Sequence, residues 1–343
     1  VKSSVPEARH PQLPRAPHGG PGSSPFSGLD FSVNTNPFGP NPRLLAAARG
    51  ADFGAYPDPT MRREREVLAA WHGVAPQQVV LATGASELLH RLARAYVGAG
   101  ERVLSVLAPF GEFARAVALQ RGALSVVSPE DAQEAVRAAS PALMYLGRPH
   151  NPLGLSLSAA RVTALAAACA RVGALLVLDE AYVGLHLAME AVPAHPALVR
   201  LHSPGKLHGL VGLRPAYALA PSEVAAQLTN LAPAWSVSAP TLAVLEELPH
   251  AGAFVRDTLP QWHAAAQILK ADLAPLAPVH DEGLPFFTLS VGDGEEVAGQ
   301  LLSRGIKVRD CASYGFPQRI RVSARSPREN ERLVDALREV LDG

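Results

Sequence analysis

Short runs of consecutive apolar residues recur along the first two thirds of the chain, separated by longer stretches whose apolar positions fall three and four apart. The runs at 79–82, 102–106, 142–146, 174–178, 198–202 and 216–220 are nearly continuous in apolar residues, the pattern of strands buried on both faces. The stretches at 87–96 and 159–172 carry Ala, Leu and Arg at helical spacing. This alternation predicts an α/β domain with a mostly parallel sheet covered on both sides. From about residue 250 the order changes. A helix over 251–274 precedes strands at 286–291, 307–310 and 319–322, and a closing helix spans 327–341. That is the expectation for a smaller α+β C-terminal domain. Residues 1 to about 27 are rich in Pro, Gly, Ser and His without apolar periodicity, which reads as an extended arm. The expected division is an arm over 1–40, a large domain over 41–245 and a small one over 246–343.

Composition narrows the class. At 343 residues the chain is long enough for a substantial core. Its 31 basic and 31 acidic residues cancel, so neither nucleic acid nor an anionic membrane is called for as a partner. The two cysteines, Cys169 and Cys311, make no disulfide framework and match no metal-ligand spacing, so no metal is expected. A reducing cytoplasm fits. The apolar stretch from 164 to 178 is short and broken by Arg171, and no basic-then-apolar leader is visible. Lysine is scarce: only Lys2, Lys206, Lys270 and Lys307 occur, which makes each worth inspection.

Ligands of α/β sheets collect beyond the C-terminal ends of the parallel strands, so the residues after each run carry the candidate chemistry. Thr83-Gly84-Ala85-Ser86-Glu87 opens a helix, where backbone N–H groups and the helix dipole can hold a phosphate; an ordinary helix cap reads the same way. Arg148-Pro149-His150-Asn151-Pro152-Leu153-Gly154 is a stiff loop that would fix the Asn151 side chain, or a plain turn. Asp179-Glu180-Ala181-Tyr182 puts a carboxylate at the end of an apolar strand, costly unless a cation meets it. A protonated pyridine nitrogen is such a cation; a simple cap is the alternative. Ser203-Pro204-Gly205-Lys206 places an amine among small and apolar residues, where desolvation favours the neutral nucleophile. Ser203 and, further on, Arg214 are phosphate-binding types. No Gly-x-Gly-x-x-Gly turn follows the first strand, which argues against a nicotinamide enzyme.

Taken in order, Gly84-Ala85-Ser86, Phe110, Asn151-Pro152, Asp179 with Tyr182, and Ser203, Lys206 and Arg214 resemble the pattern of fold type I enzymes dependent on pyridoxal 5′-phosphate (PLP), within the class I/II aminotransferase superfamily. The resemblance runs from about His18 to the C-terminus and is nearest to histidinol-phosphate aminotransferase and threonine-phosphate decarboxylase. It implies an aspartate aminotransferase-like fold, PLP bonded to Lys206, Asp179 at the ring nitrogen, and Asn151 and Tyr182 at the phenolic oxygen. It further implies Phe110 stacked on the ring, and a phosphate held by the backbone around Ala85 and Ser86 with Ser203 and Arg214. Tyr56 matches a tyrosine lent to the neighbouring subunit, so a homodimer with shared active sites is implied. Arg321 matches the arginine that grips a substrate carboxylate, and Asn36 lies in the segment lining the substrate pocket. Leu153 stands where the family has Thr, and Pro204-Gly205 replaces its usual residues before the lysine. The altered lysine loop also leaves open a protein that keeps the fold without catalysis.

Several strings resemble the decarboxylase more: His18-Gly19-Gly20, Pro233-Ala234-Trp235-Ser236-Val237-Ser238, and Arg309-Asp310-Cys311-Ala312-Ser313-Tyr314. Arg325, at the end of Arg321-Val322-Ser323-Ala324-Arg325, and His18 are candidates to contact a substrate phosphate, or else are surface residues. The expectation is therefore decarboxylation of L-threonine O-3-phosphate, a step towards cobalamin. The alternative is transamination of histidinol phosphate or a related amino acid with glutamate and 2-oxoglutarate.

Overall fold

In a computed structural model, which describes residues 10–16 and 26–342, the elements run as follows. The N-terminal part holds β1 (Leu29–Asp30), α1 (Pro42–Arg49) and α2 (Arg62–His72). There follow β2 (Val79–Thr83), α3 (Ala85–Tyr96), β3 (Arg102–Val106), α4 (Gly111–Leu119), β4 (Ala123–Val127), α5 (Ala132–Ala139), β5 (Leu143–Gly147), α6 (Ala159–Arg171), β6 (Leu175–Asp179), β7 (Leu198–His202) and β8 (Pro215–Leu219). The chain ends with α7 (Ser222–Asn230), α8 (Ala239–Glu247), α9 (Gly252–Leu273), β9 (Val279–His280), β10 (Phe286–Ser290), α10 (Gly294–Ser303), β11 (Ile306–Lys307), β12 (Arg309–Asp310), β13 (Arg319–Ser323) and α11 (Pro327–Asp342).

Seven strands form the large sheet in the order β2-β8-β7-β6-β5-β3-β4. Only β8 runs against its neighbours; the pairs from β7 to β4 are parallel. Strand alternation splits the core by face. Leu143, Tyr145 and Val177 pack with Leu88, Leu92 and Phe113, while Met144, Leu146, Leu176 and Leu178 pack with Val162 and Leu165 of α6. Side chains at every second position share a face, so this division fixes where each strand-end residue points.

All six predicted strands of this sheet are present, within one residue at each end. The edge strand β4 was not expected from the sequence, and its residues are exposed or half-buried. A separate four-stranded antiparallel sheet, β12-β13-β10-β9, builds the smaller domain around its own core, in which Trp262, Phe286, Phe287 and Ile320 are fully buried or nearly so. The single strand predicted at 307–310 is two: β11 pairs with β1 in parallel, whereas β12 pairs with β13.

Residues 28–41, which take in the inner end of the expected arm, pack against both domains. Phe31 is fully buried in the smaller core, and Leu29 and Phe31 donate to Gly305 O and Lys307 O at 2.9 and 2.8 Å. Gly28 is required at this seat, because a Cβ would lie 2.1 Å from Gly305 O. Further on, Asn36 N–H donates to Lys206 O at 2.9 Å and Asn41 N–H to His208 O at 2.9 Å. One strip of chain thus ties the smaller sheet to the lysine loop. Among the described residues no helix is long and apolar enough to cross a membrane.

Candidate active site

The C-terminal ends of β5, β6 and β7 open onto a cavity of about 470 Å³, within the range of small-molecule sites. Lys206, Asp179, Asn151, Tyr182, Phe110, Ala85, Ser86, Ser203, Arg214 and Arg321 all line it. Ten of the residues singled out from the sequence are therefore brought together.

Asp179 ends β6 on the face shared by Tyr145 and Val177. Its Oδ1 accepts from Ala181 N–H at 3.0 Å and its Oδ2 from the Tyr145 hydroxyl at 2.7 Å. Lys206 follows β7, with Nζ 5.1 Å from the centre of the Tyr182 ring. Burial lowers its pKa to about 8, against the opposing pull of Asp179; the nearby Arg214 and Arg321 add to the depression. Burial also raises the Tyr182 phenol, so it remains protonated. Asn151 donates to the Tyr314 hydroxyl at 3.2 Å and accepts from Arg321.

At the other end, Gly84 has φ +87° and lies under the Arg214 guanidinium, so that a Cβ there would sit 2.4 Å from Arg214 Nη2. This glycine lets the guanidinium reach the first turn of α3, whose leading N–H groups have no partner within the helix. A cation, two serine hydroxyls and a helix N-terminus at one end of the cavity make an anion cradle.

Two of the remaining candidates, Asn36 and Arg325, lie elsewhere than expected. Asn36 is buried but does not line the cavity, since its amide donates to Leu207 O and Thr258 Oγ1 and accepts from Phe38 N–H. Asn34, two residues earlier, lines it instead; it lies beside Tyr182, and its amide atoms are buried without a hydrogen bond of normal geometry. Arg325 also stays outside, held by Glu329 at 2.8 and 3.0 Å and by Asp30 O at 3.1 Å. Tyr56 is 81% exposed, packed on Trp235 with ring centres 4.8 Å apart and away from this chain's own cavity. His18 lies outside the described residues.

The sequence reading passed over Tyr145, Tyr314 and Arg309 as site residues. Arg309, 6% exposed, lines the cavity with Arg321, 4% exposed, and the two are direct partners across β12 and β13. Arg309 bonds to Ser313 Oγ at 2.6 Å and approaches Asp310 at 3.4 Å. Arg321 has only neutral oxygen acceptors, those of Asn151 and Ser32, among the described residues. The signal was in the sequence as two arginines on alternating strands, but it needed the register to be read.

Residues 27–337 match the family model for aminotransferase class I and II. The chain belongs to that family. A histidinol-phosphate aminotransferase of Symbiobacterium thermophilum is 32% identical over 339 residues, covering 91% of this chain and 90% of the relative. Among solved structures, histidinol-phosphate aminotransferase from Sinorhizobium meliloti in complex with pyridoxal-5′-phosphate superposes with TM-score 0.83 at 26% identity, over 91% of this chain and 90% of that one. L-threonine-O-3-phosphate decarboxylase from Porphyromonas gingivalis gives TM-score 0.82 at 20% identity, over 92% and 100%. A Thermus thermophilus aspartate aminotransferase variant gives 0.80 at 21%, over 92% of each chain. At these lower identities the likeness is one of fold. This class I/II aminotransferase is a PLP-dependent enzyme. The residues present fit that cofactor: a lysine amine with depressed basicity, a buried carboxylate across the cavity from it, and an anion cradle cleared by Gly84.

Proposed function

We propose that this chain is a transaminase of the histidinol-phosphate type, moving an amino group between an anionic amino compound and 2-oxoglutarate. The observation that carries its anionic substrate is the facing pair Arg309 and Arg321; transamination rather than decarboxylation is supported by the full-length relatives. Like charges directly opposite on paired strands repel, and two buried guanidinium groups suit a ligand bringing more than one negative oxygen. A dicarboxylate and a phosphate monoester both meet that description. Full-length relatives at about one-third identity are named for histidinol phosphate, whereas the decarboxylase likeness rests on fold. The preference expected from local strings therefore gives way to the alternative.

In this reading Lys206 Nζ would hold PLP covalently, and Asp179 would meet the ring nitrogen. Asn151 and Tyr182 face the phenolic oxygen, and Phe110 stacks on the ring. Ser203, Arg214 and the amides near Ala85 and Ser86 hold the phosphate. When bound, the cofactor supplies an electron-withdrawing ring that stabilises negative charge at the substrate Cα. Arg321 would grip the α-carboxylate of glutamate or 2-oxoglutarate and Arg309 its distal carboxylate, and the same pair would share the phosphate of histidinol phosphate. Asn34 takes the place expected of Asn36. Lys206 Nζ is the base that would take the Cα proton of a bound substrate and deliver it again; an amine with a pKa of about 8 suits both tasks. Exposed Tyr56 serves the phosphate site of a second copy, which makes the enzyme a homodimer.

The test supplies PLP-loaded protein with histidinol phosphate and 2-oxoglutarate, and separately with L-threonine O-3-phosphate. Glutamate formation in the first mixture is expected. Release of CO₂ in the second, with no glutamate in the first, would return the enzyme to the decarboxylases.

A further inference from the structure

We propose that Tyr145 is a positioning residue of this site, its hydroxyl fixing the Asp179 carboxylate so that the proton between carboxylate and cofactor ring stays on the ring nitrogen. This rests on the reading of Asp179 given above.

The geometry comes from register. Gly147 of β5 is the direct partner of Asp179 on β6, and Tyr145 is the partner of Val177. Tyr145 and Asp179 are therefore diagonal neighbours on one face, a separation that a long side chain spans. Gly147 presents no side chain between them. The Tyr145 ring is held by stacking on Phe113, with centres 4.7 Å apart and planes 24° from parallel, so the hydroxyl cannot swing away without breaking a core contact.

The hydroxyl has one role open to it. It is buried, and both burial and the neighbouring Asp179 keep the phenol well above its ordinary pKa, so it remains a donor. Its proton goes to Asp179 Oδ2 at 2.7 Å, and its oxygen receives the Phe110 backbone N–H. Ala181 N–H occupies Oδ1. Two donors, one on each oxygen, fix the plane of the carboxylate and leave its remaining lone pairs directed by the fold.

Donation to a carboxylate favours its ionised form. Without Tyr145, Asp179 becomes the stronger base and draws towards itself the proton it shares with a ring nitrogen. The ring then withdraws electrons less well. A single oxygen thus links the expected stacking residue, Phe110, to the expected nitrogen partner, Asp179.

The experiment reads the ring nitrogen directly, by the ¹⁵N resonance of labelled PLP bound to the full-length enzyme. In Tyr145→Phe the resonance is expected to move towards the unprotonated position, with kcat down about tenfold and KM changed less than threefold. Tyr217→Phe serves as control, because it removes a buried hydroxyl bonded instead to His72 at 2.8 Å; its ¹⁵N position should equal that of the parent. If Tyr145→Phe does not fold or load, 3-fluorotyrosine at position 145 decides: a stronger donor must move the resonance the opposite way. An unmoved resonance in whichever of these variants loads overturns the proposal, provided Asp179→Asn moves it. If Asp179→Asn also leaves it unmoved, the reading of Asp179 has failed as well.

Discussion

Lys206 and Gly84 show how single positions set the chemistry. An amine attacks only when neutral, and burial brings the Lys206 amine to about 8 from its ordinary 10.5. The rate at which PLP reloads onto the cofactor-free protein should therefore rise with pH through a midpoint near 8, followed by absorbance in the visible range. A midpoint above 10 would show that burial does not act on this amine. Lys206→Ala should bind PLP without gaining that band. At Gly84, a valine meets both an unfavourable positive φ and the Arg214 guanidinium at 2.4 Å from its Cβ. Gly84→Val is expected to weaken PLP binding more than tenfold, measured by quenching of protein fluorescence, while Gly73→Ala, where a Cβ meets nothing, should not. Most of these residues were legible beforehand, because Lys206, Asp179 and the Gly84 turn each follow an apolar run directly. Asn36, and Arg325 in its phosphate-contact alternative, fall outside the cavity for a shared reason. Their side chains satisfy local partners, which a string of letters does not disclose.

Between elements, Glu180 acts where Asp179 cannot. It points to the opposite face of β6, with no side-chain exposure, accepting from Arg200 Nε of β7 at 2.7 Å and lying 3.7 Å from Arg148 Nη1 after β5. One carboxylate thus reaches across three adjacent strands, β5, β6 and β7, whose ends open onto the cavity. Removing one member of a buried ionic cluster leaves its partners uncompensated. Glu180→Ala should cost about 3–5 kcal/mol, read as a lowered urea midpoint; a loss under about 1 kcal/mol would place this cluster among surface pairs. The central strands were visible in the sequence because a short, continuous apolar run between turn residues must be covered on both faces, and the middle of a parallel sheet does that. Edge strand β4 and the split of 307–310 were not, because pairing partners, not composition, define them. Tyr145 and Arg309 belong to the same class: what they do follows from which residue lies opposite.

For the whole molecule, the two sheets keep separate cores, and the cavity draws Arg309 and Arg321 from the smaller one and Lys206 and Asp179 from the larger. Tyr56, its ring neighbour Trp235 at 49% and Phe53 at 77% leave large apolar surfaces exposed on the large domain, in keeping with the homodimer proposed above. If each copy lends Tyr56 to the other, Lys206→Ala and Tyr56→Ala proteins, each inactive or nearly so, should regain activity when unfolded together and refolded as a mixture. Mixed dimers would then carry one site with both residues intact. No recovery, with mixed dimers demonstrated by mass spectrometry, would confine each site to one chain.

The pairing of β1 with β11 has a consequence in time. Leu29 is synthesised 277 residues before its partner Ile306. The large sheet can close once β8 has left the ribosome, whereas the strip from Leu29 to Asn36 has no seat at its outer end until β11 follows. Contacts so distant in sequence form late and slowly. The carbonyl of Lys206 therefore gains its full anchorage only after β11, a hundred residues beyond the lysine, has been made.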